Sequence, residues 1–598
     1  MAAEDAGGGE PPSLVRSLFL GRIDDDLAVP FPRLAGGERS QVDQLIDNLR
    51  SYCAEHYDPH RIEAERWVPD RVLRDLGEMG LLGLYVPERY GGRGLSQTGY
   101  CTVFDAVGQI DATLAVVLGV HQSIGYKGIH LFGTDEQKER FLPGLATGRT
   151  LAAYALTETG AGSDAYHLET RARRQPDGSY RLDGEKRYIG NGSRADVLTV
   201  FARTDEGAHV ALLVESGMEG FEVGGRFDTM GLAGNDLRRL RFRNVHVPAA
   251  NVLGEEGDGF RIATEVLNNG RMSLGSGSTG AVRHLLALTT EHVRARRQFD
   301  RPLAEFELVR HKVAWMTSYL YGMEAMGYLT TGLVDRGATD YRIESALVKV
   351  AGTEFLWYAA NRAFQLAGGH AYMRDAPYEK ILRDIRIFPI FEGANDVMRL
   401  FVALQGLKAV ADEVEDLADI DVREPFQAIG TLVSYLGGRV QRRLTPDRVE
   451  GAHPRLADRA EAVSGQVYDL RAAAEGLLRR HGAGVQEQQG QLKRLAHAAL
   501  DIYAQVATVS RASTALAASP ALTPAAAGTD GPEAEAGPSA DGEAATPSAG
   551  DEAFVADVFC RRAEARTRRW LDQLDTNDDA AMGAIADVAF RGGFGVPT

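Results

Sequence analysis

Hydrophobic positions along this chain follow first one rhythm, then another, then the first again. From residue 41 to about 148 they recur at helical spacing. Val42, Leu45, Ile46 and Leu49 share one face of a helix predicted over 41–53. The stretch 113–131 is apolar almost throughout, with Gly119 and Gly125 inside it, and predicts a buried helix; its small residues would leave room for a long apolar ligand. From about residue 151 the character changes. Segments 180–184, 197–202, 210–214 and 240–245 carry strand signals, separated by Gly, Asn and Asp turns. Long helical patterns return at about 257 and run to about 410. A further helical region follows. Leu456, Ala460, Val463, Val467, Leu470, Ala474 and Leu477 step by fours and threes, and so do Leu492, Leu495, Ala499, Ile502, Val506 and Val509. These stripes predict packed helices, with Phe554–Leu574 as another helix. The expected fold class is α+β. Its parts are an N-terminal extension (1–40), a helical domain (41–150), a β-domain (151–256), a helical bundle (257–410) and an added helical domain (411–598).

Composition sharpens this outline. Residues 518–550 are rich in Ala, Pro, Gly, Thr and acidic side chains, cannot bury a core, and are expected to be a flexible excursion. Residues 1–12 are Gly-rich and acidic, and are expected to be disordered. Leu14, Val15, Leu18, Phe19 and Leu20 then form a short amphipathic turn or two, suited to docking on the body or, alternatively, on a membrane surface. The 598 residues bury a large core, and 44% are hydrophobic. A net charge of −17 argues against nucleic acid as the main partner. Cys53, Cys101 and Cys560 lie far apart, with no CxxC pair, which favours a reducing compartment. No apolar run reaches the ~20 residues of a membrane span. The N-terminus lacks the basic region of a signal peptide and the arginines of a presequence. A cytoplasmic, bacterial-type enzyme is therefore expected.

The stretch Arg386–Leu400 carries the chemistry. One carboxylate, Glu392, follows aliphatic and aromatic residues and precedes Gly393. An apolar approach strips water from a carboxylate, raises its pKa and makes it a stronger base. Helical spacing resumes after Asp396, so Glu392 is expected on a turn before a helix, where it suits abstraction of a C–H proton next to a carbonyl. A solvated turn glutamate fits the segment alone equally well. Elsewhere, Tyr154–Asp164 offers backbone N–H groups to a flavin or to phosphate oxygens. Arg271 is suited to phosphate or carboxylate pairing, or to an internal ion pair. No second His or carboxylate stands at metal-ligand spacing from His370, so no metal site is expected. Leu432, Val433, Tyr435 and Leu436 beside Arg439, Arg442 and Arg443 form a basic amphipathic patch, for a subunit contact or an anionic bilayer.

The segment Arg383-Asp384-Ile385-Arg386-Ile387-Phe388, followed by Phe391-Glu392-Gly393, resembles the catalytic-base segment of the acyl-CoA dehydrogenase family. Leu400–Gly406 looks like its very-long-chain branch, and the resemblance runs from about Ser13 to Gly406. It implies FAD-dependent α,β-dehydrogenation of a long fatty acyl-CoA within β-oxidation, with Glu392 as base. Electrons would pass to electron-transferring flavoprotein. The Glu392 N–H and a flavin ribityl hydroxyl would hold the thioester oxygen. The resemblance assigns the cofactor to Tyr154, Leu156, Thr157, Gly162, Ser163, Tyr188, Ile189, Gly190, Ala394 and Asp396. It assigns the substrate to Ser163, Asn268, Arg271 and Gly393. It adds Gln298 and Phe299 to the cofactor set, and implies that Arg296, Gln365, Gly368 and Gly369 reach the cofactor of a neighbouring subunit, which would make a homodimer necessary. The added C-terminal domain is linked in that branch to membrane association. Several positions depart from the family pattern. Thr159 stands for proline, Gly190 for Ser/Thr, Asp300 and Ala371 for glycine, Glu307 for glutamine and Ala394 for threonine. These motivate two alternatives: a flavin-poor scaffold on the same fold, or an acyl-CoA oxidase.

Overall fold

A computed structural model describes residues 13–414, 449–519 and 547–593. The segment 1–12, the basic patch at 432–443 and residues 520–546 of the expected excursion lie outside the described residues, while the helix Ala549–Asp572, capped by Ser548, begins before the expected end of that excursion at 550. The chain divides into two compact units. The first holds residues 31–397; the second holds residues 13–30 with those from 398 on.

The first unit opens with helices that carry local start signals. Ser96 caps the helix Gln97–Ile110 by accepting from Gly99 N. Thr134 and Gln137 form a reciprocal capping box at the head of Asp135–Ala146. The expected long helix over 113–131 is broken in two. Helix Ala112–Gly119 runs into a π-helical turn, Val120–Gly125, before Lys127–Phe132 resumes. Ser123 Oγ donates to Gly119 O at 2.6 Å, within this distorted stretch. Gly125 is needed because a Cβ there would sit 3.0 Å from Ala152 Cβ and closer still to Val120 O. Its smallness therefore serves packing and opens no room.

The sheet comprises β1 (Ala152–Ala155), β2 (Arg171–Arg174), β3 (Tyr180–Ile189), β4 (Val197–Arg203), β5 (His209–Glu215), β6 (Phe221–Arg226), β7 (Arg238–Val247) and β8 (Val252–Leu253). The order is β6-β7-β3-β2-β4-β5-β8, with β1 paired parallel to β4. Both faces of β1, β4 and β5 are buried, and the period of two sorts their side chains. Ala153, Ala155, Leu198, Val200, Val210 and Leu212 enter a core shared with Leu182, Leu240 and Phe242 of β3 and β7. Ala152, Tyr154, Val197, Phe201, Ala211 and Leu213 join the core of the N-terminal helices.

The helix Gly259–Ala295 packs against Gln97–Ile110, Glu307–Asp335 and Arg342–Ala367. Its approach to Gln97–Ile110 is close enough that a Cβ on Gly280 would lie 1.9 Å from Asp105 O. The helix Asn395–Glu413 follows the Glu392 turn.

In the second unit, helices Ala457–His481, Gln489–Ala517 and Ala549–Asp572 pack together. Every residue of the two predicted stripes is buried. The 13–30 segment is part of this unit. Leu14, Val15, Leu18 and Phe19 are fully buried, and Arg471 Nη1 donates to Leu20 O at 2.5 Å. Among the described residues no helix is long and apolar enough to cross a membrane.

Candidate active site

Glu392 sits on the turn between helices Pro377–Ile385 and Asn395–Glu413, as its sequence context predicts. It adopts φ +57°, and Gly393 follows at φ +90°. A side-chain-bearing residue in the left-handed region is strained by about 1–2 kcal/mol, so surrounding contacts must hold it there. Arg271 Nε donates to Glu392 O at 3.2 Å. Lys349 Nζ donates to Gly393 O at 2.7 Å and to Asn395 Oδ1 at 2.6 Å. Asn395 N closes the turn onto Pro389 O at 2.9 Å.

Part of Glu392 reaches solvent, but its Oε2 is shielded and has no hydrogen-bond partner. A Cβ on Gly270 would lie 2.8 Å from that oxygen and 3.0 Å from Ile124 Cγ2. Gly270 thus provides the space the carboxylate occupies. Desolvation pushes the Glu392 pKa up to about 7, opposed by the cations Arg271 and, less strongly, Lys349. The result is a carboxylate shielded at Oε2 and poised near neutral pH.

The predicted substrate residues Asn268 and Arg271 lie at this turn, but both are turned inward. Arg271 is 4% exposed, and its Nη1 donates to Asn268 Oδ1 at 2.8 Å. Arg271 thus bonds a backbone carbonyl and an amide oxygen, and neither contact is the ion pair or the phosphate pairing that its sequence suggests. Asn268 Nδ2 continues to Glu265 Oε2 at 3.2 Å, and Tyr341 OH reaches Glu265 Oε1 at 2.6 Å.

The β-domain brings Tyr154 to the same place. Its ring is buried, its hydroxyl donates to Ala263 O at 3.1 Å, and its pKa is raised by burial first and then by Glu392. Leu156 is buried, Thr157 half-buried, and Gly162 and Ser163 are exposed. Tyr188 is half exposed at φ +60°, between buried Ile189 and the Phe227 ring. A Cβ on Gly190 would meet Val120 Cγ2 at 3.0 Å and Asn235 Oδ1 at 3.7 Å. Asn235 Oδ1 is a buried acceptor without a donor.

The remaining predicted residues form a separate surface group. Arg296, Gln298, Gln365, Gly368 and Gly369 are exposed, and Phe299 is 88% exposed. His292 and His370 stack at 6.4 Å, which joins the two segments. Phe299 and Asp300 both take positive φ, with Gln298 paired to Arg301 across them. Aspartate tolerates the left-handed region, so the turn closes without the usual glycine. Glu307 is exposed and lies 3.7 Å from His311. Ala394 is half-buried and Asp396 exposed.

Against known families, residues 40–149, 153–245 and 257–407 match the acyl-CoA dehydrogenase N-terminal, middle and C-terminal domains. Residues 454–523 match the ACAD9/ACADV C-terminal domain. The human mitochondrial very long-chain specific acyl-CoA dehydrogenase is 35% identical over 95% of this chain and 85% of its own length. The chain belongs to the acyl-CoA dehydrogenase family. A probable acyl-CoA dehydrogenase of Mycobacterium tuberculosis, FadE10, is 31% identical over 98% of this chain and 89% of its own. The acyl-CoA dehydrogenase of Bacillus anthracis, solved in complex with FAD, superposes with a TM-score of 0.76 at 27% identity, covering 95% of this chain and 92% of that one. Membership in this family makes the chain an oxidoreductase.

The structure also brings in residues that the sequence pattern did not single out. Gly270 and Lys349 shape the Glu392 turn. Glu158 and Lys186 form a fully buried ion pair at 2.6 Å. From it Lys186 Nζ also reaches Leu156 O at 3.0 Å, while Glu158 accepts from the N–H groups of Glu169 and Thr170. One signal was available for Lys349. It is a lone charge inside the apolar run Ala346–Gly352, a place where lysine is rare unless paired.

Proposed function

We propose that this protein is an FAD-dependent dehydrogenase of long- or very-long-chain fatty acyl-CoA, with Glu392 as the catalytic base. Its product would be the trans-2-enoyl-CoA of β-oxidation, and electron-transferring flavoprotein its electron acceptor. The observation that carries the reading is the Glu392 carboxylate: shielded, unpartnered at Oε2, and pushed up to about 7. A thioester α-proton is weakly acidic, and a desolvated base with a raised pKa is matched to removing it. The names and bound ligands of the relatives support the substrate class and the cofactor.

The residues present fit FAD. Gly162 has nothing within 4 Å of where a Cβ would stand, so its backbone is uncovered, and Asn235 Oδ1 is a buried acceptor awaiting a donor. Tyr154, Leu156, Thr157, Gly162, Ser163, Tyr188, Ile189, Gly190, Ala394 and Asp396 would hold it. When bound, FAD supplies the hydride acceptor. Glu392 would take the α-proton onto its carboxylate, and Asn268, Arg271, Ser163 and Gly393 would keep the acyl-CoA and the turn in register. Exposed Phe299, Leu308 and Tyr372, together with Arg296 and Gln365, suit a homodimer in which this surface meets the partner's cofactor.

Glu392→Gln keeps the shape of the side chain and removes its basicity. FAD content and acyl-CoA binding are expected to persist while anaerobic flavin bleaching by palmitoyl-CoA slows by roughly 1,000-fold or more. Bleaching at near the wild-type rate would remove Glu392 from the mechanism. Peroxide formed without an added acceptor would point to an oxidase instead, and a colourless wild-type protein to a scaffold.

A further inference from the structure

We infer that Lys349 is a positioning residue of this reaction: its ammonium group locks the left-handed turn that carries Glu392 and keeps a fixed positive charge beside the base. The inference rests on the assignment of Glu392 made above. Lys349 lies on the helix Arg342–Ala367 and is 0% exposed. Burying a lysine is expensive, and an apolar side chain would fill the same space at lower cost. What the ammonium does there is specific. It bonds the carbonyl of Gly393, the residue after the base, at 2.7 Å, and Asn395 Oδ1 at 2.6 Å. Asn395 Nδ2 is tied back to Thr353 Oγ1 at 3.1 Å, one turn beyond Lys349 on the same helix. Lys349 and Asn395 therefore clamp both sides of the Gly393–Ala394 link to a rigid element. Arg271 holds the carbonyl of Glu392 itself from the opposite helix, Gly259–Ala295. Two donors on successive carbonyls fix the peptide planes of a turn in which Glu392, strained at φ +57°, would otherwise be free to relax.

The charge has its own consequence. Arg271 and Lys349 are the cations that favour the ionised Glu392, and the phenols Tyr100 and Tyr154 face it from the helix Gln97–Ile110 and from β1. Burial holds both phenols neutral, far above their ordinary range. Without Lys349, desolvation has only Arg271 to oppose it.

The test compares the full-length, FAD-loaded wild type with Lys349→Met and Lys349→Gln, by stopped-flow flavin reduction with palmitoyl-CoA from about pH 6 to about pH 9. In Lys349→Met the midpoint of the pH profile is expected to move up by about one unit. The plateau rate is expected to fall roughly 100-fold as the turn loosens. Lys349→Gln keeps an N–H donor for Gly393 O, so it should recover much of the plateau rate but not the midpoint. If both variants bind FAD and reproduce the wild-type midpoint and plateau, the role is overturned. Should neither bind FAD, Asn395→Ala leaves Lys349 its charge and removes its second anchor at Asn395 Oδ1. A lowered plateau with an unmoved midpoint then supports the role, and an unmoved plateau overturns it. Independently of turnover, amide hydrogen exchange over residues 386–395 should accelerate in Lys349→Met. Unchanged protection there overturns the clamp, whereas a wild-type flavin that palmitoyl-CoA cannot reduce overturns the dehydrogenase reading alone.

Discussion

At the scale of single residues the site is a contest between desolvation and charge. Glu392 is strained in φ, shielded at Oε2, and held by donors from two helices. Space for it comes from the missing side chain at position 270. Gly270→Ala is therefore a sharp probe. Its methyl group would lie 2.8 Å from Oε2, too close for a carbon–oxygen contact, and Ile124 blocks the other side at 3.0 Å. The carboxylate must swing away from its shielded position. Flavin reduction is expected to fall at least about 10-fold, because small misplacements of a base are costly. The pH midpoint should drop below about 7 as the carboxylate regains water. FAD content should not change. A variant with the wild-type rate and midpoint would show that the base works from another conformer.

At the scale of elements, the sequence foretold strands that were long, rich in β-branched and apolar residues, and bounded by turns. The segments at 180–184, 197–202, 210–214 and 240–245 became β3, β4, β5 and β7. Strands β2 and β6 escaped detection because alternation barely shows in Arg-Ala-Arg-Arg, with only Ala172 buried, or in Phe-Glu-Val-Gly-Gly-Arg, where no residue is fully buried. Strand β1 is apolar on both faces, so its four residues carry no period at all. The Glu392 turn was legible because a lone carboxylate in an apolar run before a helix is unusual. The Glu158–Lys186 pair was not, because the partners are 28 residues apart and meet only through the sheet. That pair anchors the segment from Leu156 to Thr170, so its loss should act on the whole β-domain loop. Lys186→Met leaves Glu158 buried without its cation, a change that typically destabilises by about 3–5 kcal/mol. The expected result is a lowered Tm and FAD lost on gel filtration. The double variant Lys186→Met/Glu158→Leu, which removes both charges, should recover much of the Tm. If the double variant is as unstable as the single one, the pair matters through packing and not through charge.

At the scale of the whole molecule, the chain's first described segment is not part of the unit that follows it in sequence. Residues 13–30 belong to the second unit, with the helices from 398 on. The amphipathic pattern of Leu14, Val15, Leu18 and Phe19 announced a docking face, but periodicity names a face and never its partner. Complementarity settles the partner, and it is visible at Phe19. The Phe19 ring fills the space in front of Gly406, where a Cβ would meet three of its carbons at 2.5 Å. Arg471 holds Leu20 O, Gly451 N donates to Asp25 Oδ2 at 2.9 Å, and Ser510 Oγ donates to Ala28 O. A short segment with this many anchors acts as a strap on helices Asn395–Glu413, Ala457–His481 and Gln489–Ala517. Phe19→Ala would open a cavity at its centre and is expected to destabilise the second unit by about 3–5 kcal/mol. Hydrogen exchange read by mass spectrometry should then rise across residues 457–481 and 489–517. Exchange in those helices at the wild-type rate would mean that the segment merely rests on the unit without holding it together.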